Sequence, residues 1–439
     1  MRYSTLSDWL SWQETLHPAK IDLGLERVRA VLQRMGLEHP PYALITVGGT
    51  NGKGSCVAML EAILHAAGYR VGAYTSPHLL RYNERVRMDR VMASDAALCE
   101  AFARVDAARE EISLTYFEFG TLAALDVFSR GGLDVAVLEV GMGGRLDAVN
   151  VLDADVAVVT TVGLDHTAWL GAERESIGAE KAGIFRAGRV AVYGDTDPPS
   201  SVVEHARTLN APLLRFGRDF GYEPEATPAW SWWGKGQRRH TLPLPRLRGP
   251  YQLKNAATAI MALELLKTRL PVAQQALRLG LSTVDLPGRL QLMDERALRI
   301  CDVAHNPQAA AALAEGLRNL PCAGRTHAVV AMLVDKDMVG VAGALAGSVD
   351  VWHVAGLTVE RGASARELAA QLRVVADGQE IHEYATLTAA FTGAAEAAGS
   401  ADRILVFGSF YTVAAALEPG NAAWWRSAGT ARSEHLSVG

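Results

Sequence analysis

The stretch Leu44 to Ser55, LITVGGTNGKGS, decides the fold: an apolar, β-branched run breaks into glycines around one lysine, and helical periodicity follows at once. The run reads as a buried strand, and Val57, Leu60, Ile63 and Leu64, stopping at Gly68, read as the helix behind it. A glycine-rich turn between the two lets successive backbone N–H groups face an anion, and the lysine and the helix dipole add positive potential. Thr50, Asn51, Gly52, Lys53, Gly54 and Ser55 are therefore candidate phosphate ligands, with Lys53 as the charge and the Ser55 hydroxyl placed near a metal ion. The order G-x-x-x-x-G-K-[ST] is not met, because Val47 stands at its first glycine and Gly54 separates Lys53 from Ser55. A plain strand-to-helix turn is the competing explanation.

Around this stretch lie 439 residues, enough for two or three domains, with 49% hydrophobic and 21% charged residues as in ordinary globular proteins. A net charge of −5 argues against a nucleic-acid or anionic-membrane surface. Cys56, Cys99, Cys301 and Cys322 are widely spread without metal-ligand spacing and read as reduced, mostly buried thiols. With Trp9, Trp12 and Glu14 near the start, no leader-like segment and no run of 18 apolar residues, the expectation is a cytoplasmic protein.

Ile21, Leu25, Val28, Leu32 and Met35 predict an opening amphipathic helix, led in by Ile21-Asp22-Leu23-Gly24. Tyr69 to Thr75 reads as a second strand ending in Ser76-Pro77-His78, with no acidic residue for a dinucleotide ribose, which favours ATP over NAD or FAD. Arg81, Arg85, Arg87 and Arg90 form either a solvated face or a basic rim for an anionic substrate. Residues 94 to 130 read as helical, interrupted at Thr115-Tyr116-Phe117-Glu118, whose aromatics are core or a stacking wall.

Leu133 to Val140 is a buried parallel-type strand with Glu139 near its end, a carboxylate that needs a partner or a metal. In nucleotide-binding α/β folds an acid in that place helps to hold Mg²⁺. Asp155 to Thr161 is a third such strand; Asp165-His166 follows at the end of the sheet where open α/β folds place their sites. Lys181, taken alone, reads as an exposed helical lysine. Residues 196 to 250 read as short alternating strands with Trp230, Trp232 and Trp233 in core or hairpin pairs, and Asn255 opens a helical stretch. Hinge signals at Leu286-Pro287-Gly288-Arg289 introduce a second α/β pattern, with strands at 299–303, 326–333, 349–354 and 404–407 and helix starts at Asn306-Pro307 and Gly408-Ser409-Phe410. The tail from Gly420, apart from Trp424 and Trp425, reads as frayed.

In order along the chain, GTNGKGS (49–55), SPHL (76–79), TYFE (115–118), EVGMGGRLD (139–147), LDHT (164–167), EKAGIF (180–185), LPGR (286–289) and DVAHNP (302–307) resemble the bacterial folylpolyglutamate synthase/dihydrofolate synthase family, relatives of the Mur ligases. The resemblance runs from about Ile21 to Val413. It implies a Mur-ligase-like α/β fold: an N-terminal P-loop domain with a doubly wound sheet over 1–286, including a β excursion at about 196–250, and a smaller C-terminal Rossmann-like α/β domain over 287–439. The implied activity is ATP-dependent amide ligation of L-glutamate to dihydropteroate and to folates through an acyl phosphate.

The same resemblance assigns roles. Thr50 to Ser55 hold ATP phosphates, and Ser76, Glu139 and His166 bind magnesium, with K⁺ as a further candidate cation. Lys181 resembles an N6-carboxylated lysine, and Asn255, Arg289 and Asp302 contact ATP. Ile21, Asp22, Leu23, Thr115, Tyr116, Phe117, Glu118, Leu146, Asp147 and Ala148 line the pteroate pocket, and His305 and Ser409 serve glutamate or the acyl phosphate. Lys53, Lys181, His166 and Arg289 are the implied catalytic set. A monomer without nucleic-acid or membrane partners is expected. Two alternatives differ in outcome. A Mur-type peptidoglycan-precursor ligase is opposed by TYFE and by the absence of a UDP-binding domain before the loop, and a nucleotide-dependent switch would hydrolyse ATP without glutamate.

Overall fold

The computed structural model describes residues 2–225, 228–294, 298–320 and 322–424, which form two compact units. The first runs to Arg246 and takes in Tyr251–Asp285; the second comprises Leu247–Pro250 and the chain from Leu286.

Among the described residues, the first unit is built on β1 (Ala43–Gly48), β2 (Val71–Tyr74), β3 (Val86–Met88), β4 (Val91–Met92), β5 (Val135–Glu139), β6 (Val156–Val159), β7 (Ala191–Tyr193) and β8 (Leu213–Arg215). They form one sheet in the order β4-β3-β2-β5-β1-β6-β7-β8, parallel except for β3 and β4. β1 is buried at all six positions because sheet neighbours flank it and helices cover it, which explains its unbroken apolar sequence. Its register pairs Val47 with Glu139 on one side and Gly48 with Val159 on the other, so three strand ends meet at one level. The chain fills one side of β1 with β2 and β5, then crosses to β6, and the loops diverging there open the crevice typical of such sheets.

The helix after β1, Lys53–Ala66, is buried from Gly54 to Leu64 rather than amphipathic, because helices Tyr251–Leu265 and Gln274–Thr283 both pack on it. A β-carbon on Gly280 would come within 2.6 Å of Ile63 Cγ1, so Gly280 permits that close approach. Glu61, inside this helix, is neutralised by Arg87 Nη2 at 2.8 Å. Arg87 and Arg90 are thereby removed from a free basic rim, Arg90 Nη2 donating to the Thr283 carbonyl at 2.6 Å.

Several expectations need correction. The chain opens with a helix at Leu6–Leu16, anchored by fully buried Trp9, and the amphipathic helix is limited to Glu26–Met35. The interruption at Thr115 is a boundary: helix Asp95–Arg109 ends, and Thr115 caps helix Tyr116–Arg130 in a capping box with Glu118. The region 196–250 contains a helix, Ser200–Thr208, before β9 (Phe220–Pro224), β10 (Ala229–Gly234) and β11 (Gln237–Pro243) form an antiparallel sheet. Trp230 and Trp232 are core residues there, Trp232 Nε1 donating to the Ala257 carbonyl at 3.0 Å. Asn255 sits inside a helix that starts at Tyr251. Lys181 is 4% exposed, the reverse of an exposed lysine.

The second unit carries β12 (Gln291–Asp294), β13 (Arg299–Cys301), β14 (Thr326–Val330), β15 (Val351–Ala355), β16 (Glu380–Tyr384) and β17 (Arg403–Phe407), in the order β12-β13-β17-β14-β15-β16 with β12 antiparallel. The polar outer strands β12 and β16 lack an apolar run, as edges do, and escaped the pattern that marks the inner four. Pro419–Trp424 forms a short 3-10 helix, and the Trp424 indole is buried, stacks on Phe391 at 5.8 Å and donates to the Ala416 carbonyl; Trp425 and the rest of the tail lie outside the described residues.

Buried within this sheet, His327 Nδ1 lies 3.1 Å from His353 Nε2, and His353 Nδ1 lies 3.0 Å from Tyr384 Oη. Burial, reinforced by His327 and His382, pushes His353 down to about 4, with Glu380 opposing. The unfolded chain therefore takes up the proton first: stability is full above the ordinary histidine value of 6.5 and is lost as pH falls toward about 4. The loss is expected to be on the order of 3 kcal/mol. Amide protection of Val351–Ala355, corrected for intrinsic exchange, should fall between pH 7.5 and 5, and His353→Phe should flatten that dependence.

Candidate active site

The loop after β1 is shaped by two glycines. Gly49 has φ +136°, and a β-carbon there would collide with Thr160 Oγ1 and lie 3.0 Å from Thr160 N. Gly52 has φ +86°, and its β-carbon would lie 2.6 Å from Asn255 Oδ1. The turn between them is pinned to the strand end of β6: Thr50 N donates to the Thr161 carbonyl at 2.8 Å, Asn51 N to Thr161 Oγ1 at 3.1 Å, and Thr160 Oγ1 to the Asn51 carbonyl at 2.7 Å. Thr50 Oγ1 both donates to the Gly163 carbonyl and accepts from Gly163 N. Gly54 and Ser55 lie in the buried first turn of the helix, and Ser55 Oγ accepts from Gln252 Nε2 at 3.3 Å. Gln252 Oε1 in turn accepts from Asn255 Nδ2 at 3.0 Å, so a buried amide chain braces the underside of the loop.

Two lysines converge on one carbonyl. Lys53 Nζ and Lys181 Nζ each donate to the Gly49 carbonyl at 3.1 Å, and Lys53 also reaches the Thr50 carbonyl at 3.2 Å. Burial, then the repulsion of Lys53, pushes the Lys181 amine down to about 7, with Asp165 and Asp147 opposing. Asp147 is itself buried and pushed up to about 6 by that burial, against hydrogen bonds donated by Met142 N at 2.8 Å and Val149 N at 3.0 Å and the field of Lys53.

Glu139, 5% exposed at the end of β5, accepts from Ser76 N at 3.2 Å, which brings two of the expected metal ligands together. His166 caps the short helix Thr167–Leu170 in the left-handed region (φ 52°), its N–H donating to Asp165 Oδ1 at 2.8 Å. Among the described residues no group of three or more His, Cys, Asp and Glu side chains gathers as a metal site; Ser76, Glu139 and His166 contain only two side chains of those types.

The segments 21–23 and 115–118 meet around Arg27, which pairs with both Asp22 and Glu118. Tyr116 lies 5.9 Å from Tyr82, with Arg85 over both rings, and Phe117 lies 6.0 Å from Tyr74 and covers Gly141. Leu146 and Ala148 flank Asp147, which caps the turn Ala148–Val151. In the second unit, Arg289, Asp302, His305 and Ser409 lie near the ends of β13 and β17. Arg289 stands over Phe410 at 5.3 Å, and His305 lies 6.2 Å from the same ring. Asp302, pushed up by burial, accepts from Leu290 N at 2.7 Å and Ala304 N at 2.8 Å, while Ser409 Oγ caps helix Phe410–Leu417.

The Mur ligase middle-domain model matches residues 47–263, and the Mur ligase glutamate ligase domain model matches 288–410. The dihydrofolate synthase/folylpolyglutamate synthase of Escherichia coli strain K12 is 46% identical over 415 residues, covering 94% of this chain and 95% of that protein. The chain belongs to the dihydrofolate synthase/folylpolyglutamate synthase family. The Haemophilus influenzae member is 41% identical over 94% of this chain and 96% of its own length. A solved structure of the E. coli member with DHPP and ADP superposes with a TM-score of 0.90 at 45% identity, covering 95% of this chain and 98% of that one. A Mycobacterium tuberculosis folylpolyglutamate synthase bound to ADP gives 0.85 at 28% identity, covering 96% and 99%.

For this member of the family, the sequence left several residues of the site unnoticed: Gln252, Thr160, Thr161 and Arg27. Gln252 stands one helical turn before Asn255, a spacing that would have placed both on one face. The others support the loops only through tertiary contacts. Gly52→Ala is expected to cost about 1–3 kcal/mol in denaturant unfolding and to weaken ADP binding about tenfold by calorimetry. Gly36→Ala, at a similar φ of 67° but with nothing within 4 Å, should leave ADP binding unchanged.

Proposed function

We propose that this chain is an ATP-dependent ligase that joins L-glutamate to dihydropteroate and to tetrahydrofolate mono- and polyglutamates. The observation that carries this assignment is the convergence of Lys53 and Lys181 on the Gly49 carbonyl at the end of a parallel sheet. Lys53 supplies positive charge for a nucleotide's phosphates, and the repulsion between the two amines is relieved when Lys181 carries the carbamate assigned below. The relatives bear folate-ligase names at 46% and 41% identity, which leaves the peptidoglycan alternative without support.

The substrate carboxylate oxygen attacks the γ-phosphorus, the bond to the β,γ-bridging oxygen breaks, and ADP leaves. The glutamate amine then attacks the carbonyl carbon of the acyl phosphate, the C–O bond to phosphate breaks, and the amine loses a proton. Thr50 to Ser55 hold and orient the phosphates, Lys53 neutralises charge that develops on them, and Asn255, Arg289 and Asp302 contact the nucleotide. The fit to a magnesium-type cation rests on hard oxygen donors, the buried Glu139 carboxylate and the Ser76 hydroxyl, with His166 as third ligand. When bound, such a cation neutralises phosphate charge. We assign no residues to K⁺. Segments 21–23, 115–118 and 146–148 take the pteroate, and His305 and Ser409 the glutamate or acyl phosphate.

Lys181 is assigned to carboxylation: its nitrogen attacks CO₂ and loses one proton, leaving a carbamate anion. An amine pushed down to about 7 has the neutral form that this attack needs, and the product replaces Lys53–Lys181 repulsion with attraction. Among the described residues no helix is long and apolar enough to cross a membrane; a cytoplasmic monomer is the further part of this proposal.

With Mg-ATP and labelled glutamate, incorporation should require dihydropteroate or tetrahydrofolate, and phosphate release without glutamate would favour a switch instead. Lys53→Ala should lower both incorporations by at least about a hundredfold with an unchanged melting temperature. In ¹³C-bicarbonate a carbamate carbon resonance should appear in the wild type and vanish in Lys181→Arg; its absence from the wild type would remove the carboxylation.

A further inference from the structure

Arg27 lies in the first turn of helix Glu26–Met35, just after a stretch without regular structure that holds Ile21–Leu23. Its Nη1 donates to Asp22 Oδ2 at 2.7 Å and its Nη2 to the Asp22 carbonyl at 2.7 Å, so the guanidinium grips both the side chain and the main chain of that stretch. The other edge of the fork faces Glu118: Nε donates to Oε1 at 3.2 Å, and Nη2 lies 3.0 Å from the same oxygen. Glu118 also accepts from Thr115 N at 2.8 Å, closing the capping box whose other half is Thr115 Oγ1 accepting from Glu118 N. One planar group thus ties the segment 21–23 to the turn 115–118, far apart in sequence.

The two ends of this clamp differ. Glu118 has a side chain 4% exposed and needs a cation, whereas the Asp22 side chain is 42% exposed and would be well solvated alone. Folding therefore explains the Glu118 contact but not the grip on Asp22. A bidentate hold on an exposed loop fixes its backbone before a ligand arrives, and such preorganisation lowers the ordering cost of binding.

We propose that Arg27 is a positioning residue for the acid substrate, holding Ile21–Leu23 against Thr115–Glu118 so that the two walls of the pteroate pocket are set relative to each other. This rests on the assignment of both segments to dihydropteroate. Arg27 acts through Asp22 and Glu118 and does not touch the nucleotide loop, so its effect is selective.

Calorimetry of the full chain with dihydropteroate and, separately, with ADP and magnesium tests this. Arg27→Met should weaken dihydropteroate binding about tenfold while ADP affinity stays within about twofold, and Arg27→Lys, which reaches only one partner at a time, should fall between. Because Arg27→Met strands a buried carboxylate, the same change is also made on Glu118→Gln, where glutamine keeps the cap and removes the charge. There Arg27→Met should weaken dihydropteroate by a further factor of about five to ten relative to Glu118→Gln alone. Equal dihydropteroate affinity within both pairs, or a parallel loss of ADP affinity, overturns the proposal. A wild type that binds ADP but not dihydropteroate overturns the pteroate assignment and the proposal with it.

Discussion

Everything in the candidate site depends on a close backbone approach: the chain after β1 runs so near the end of β6 that Gly49 has no room for a β-carbon beside Thr160. Only this contact lets Thr160 and Thr161 take up the polar groups of the turn, leaving it bent toward the strand ends instead of toward solvent. The register does the rest. Val47 opposite Glu139 sets the acid of β5 beside the start of the loop, and Lys181 reaches the Gly49 carbonyl from another element altogether. A shift of the β1–β5 pairing by one residue would turn Glu139 to the opposite face of the sheet.

The parts legible in the sequence were those with local causes. The strand–glycine–helix run and the Asn306-Pro307 helix start each declare themselves within a few residues, and the structure shows both. Lys181 did not, because its helix Arg174–Ala182 carries charged residues on both sides and nothing local marks one lysine as buried. The helix Ser200–Thr208 was hidden by flanking prolines and β-branched valines, and β16 by its charges, since an edge strand needs no apolar run. The histidine chain of the second unit was invisible for another reason: His327, His353 and Tyr384 come together only through the register of three parallel strands.

Among the described residues, two contrasting ways of holding a buried carboxylate stand out, with Glu118 combining both through Arg27 and Thr115 N, and the contrast bears on function. Glu61, Asp126 and Glu264 sit on helices and are answered by Arg87, Arg104 and Arg239, arginines whose chains extend to the surface. These pairs neutralise a charge that would otherwise be expensive to bury, and they account for part of the arginine run that looked like a basic rim. Asp147 and Asp302 differ. Each is held by main-chain N–H groups, from Met142 and Val149 in one case and from Leu290 and Ala304 in the other, and each is pushed up by burial.

Backbone donors fix the direction of a carboxylate without cancelling its charge, so an acid held in this way keeps a field that a ligand can use. In Asp147 that field acts on Lys53 and Lys181, two lysines that repel one another. Asp165 acts on Lys181 in the same sense. The two acids oppose burial and the repulsion of Lys53 without overcoming them, since Lys181 still falls to about 7. An arginine at either place would make the lysines harder to keep together, and an ion-paired acid would leave them unopposed. The main-chain cradle of Asp147 thus directs a carboxylate whose charge opposes the lowering of Lys181, although it contributes no atom to the loop itself.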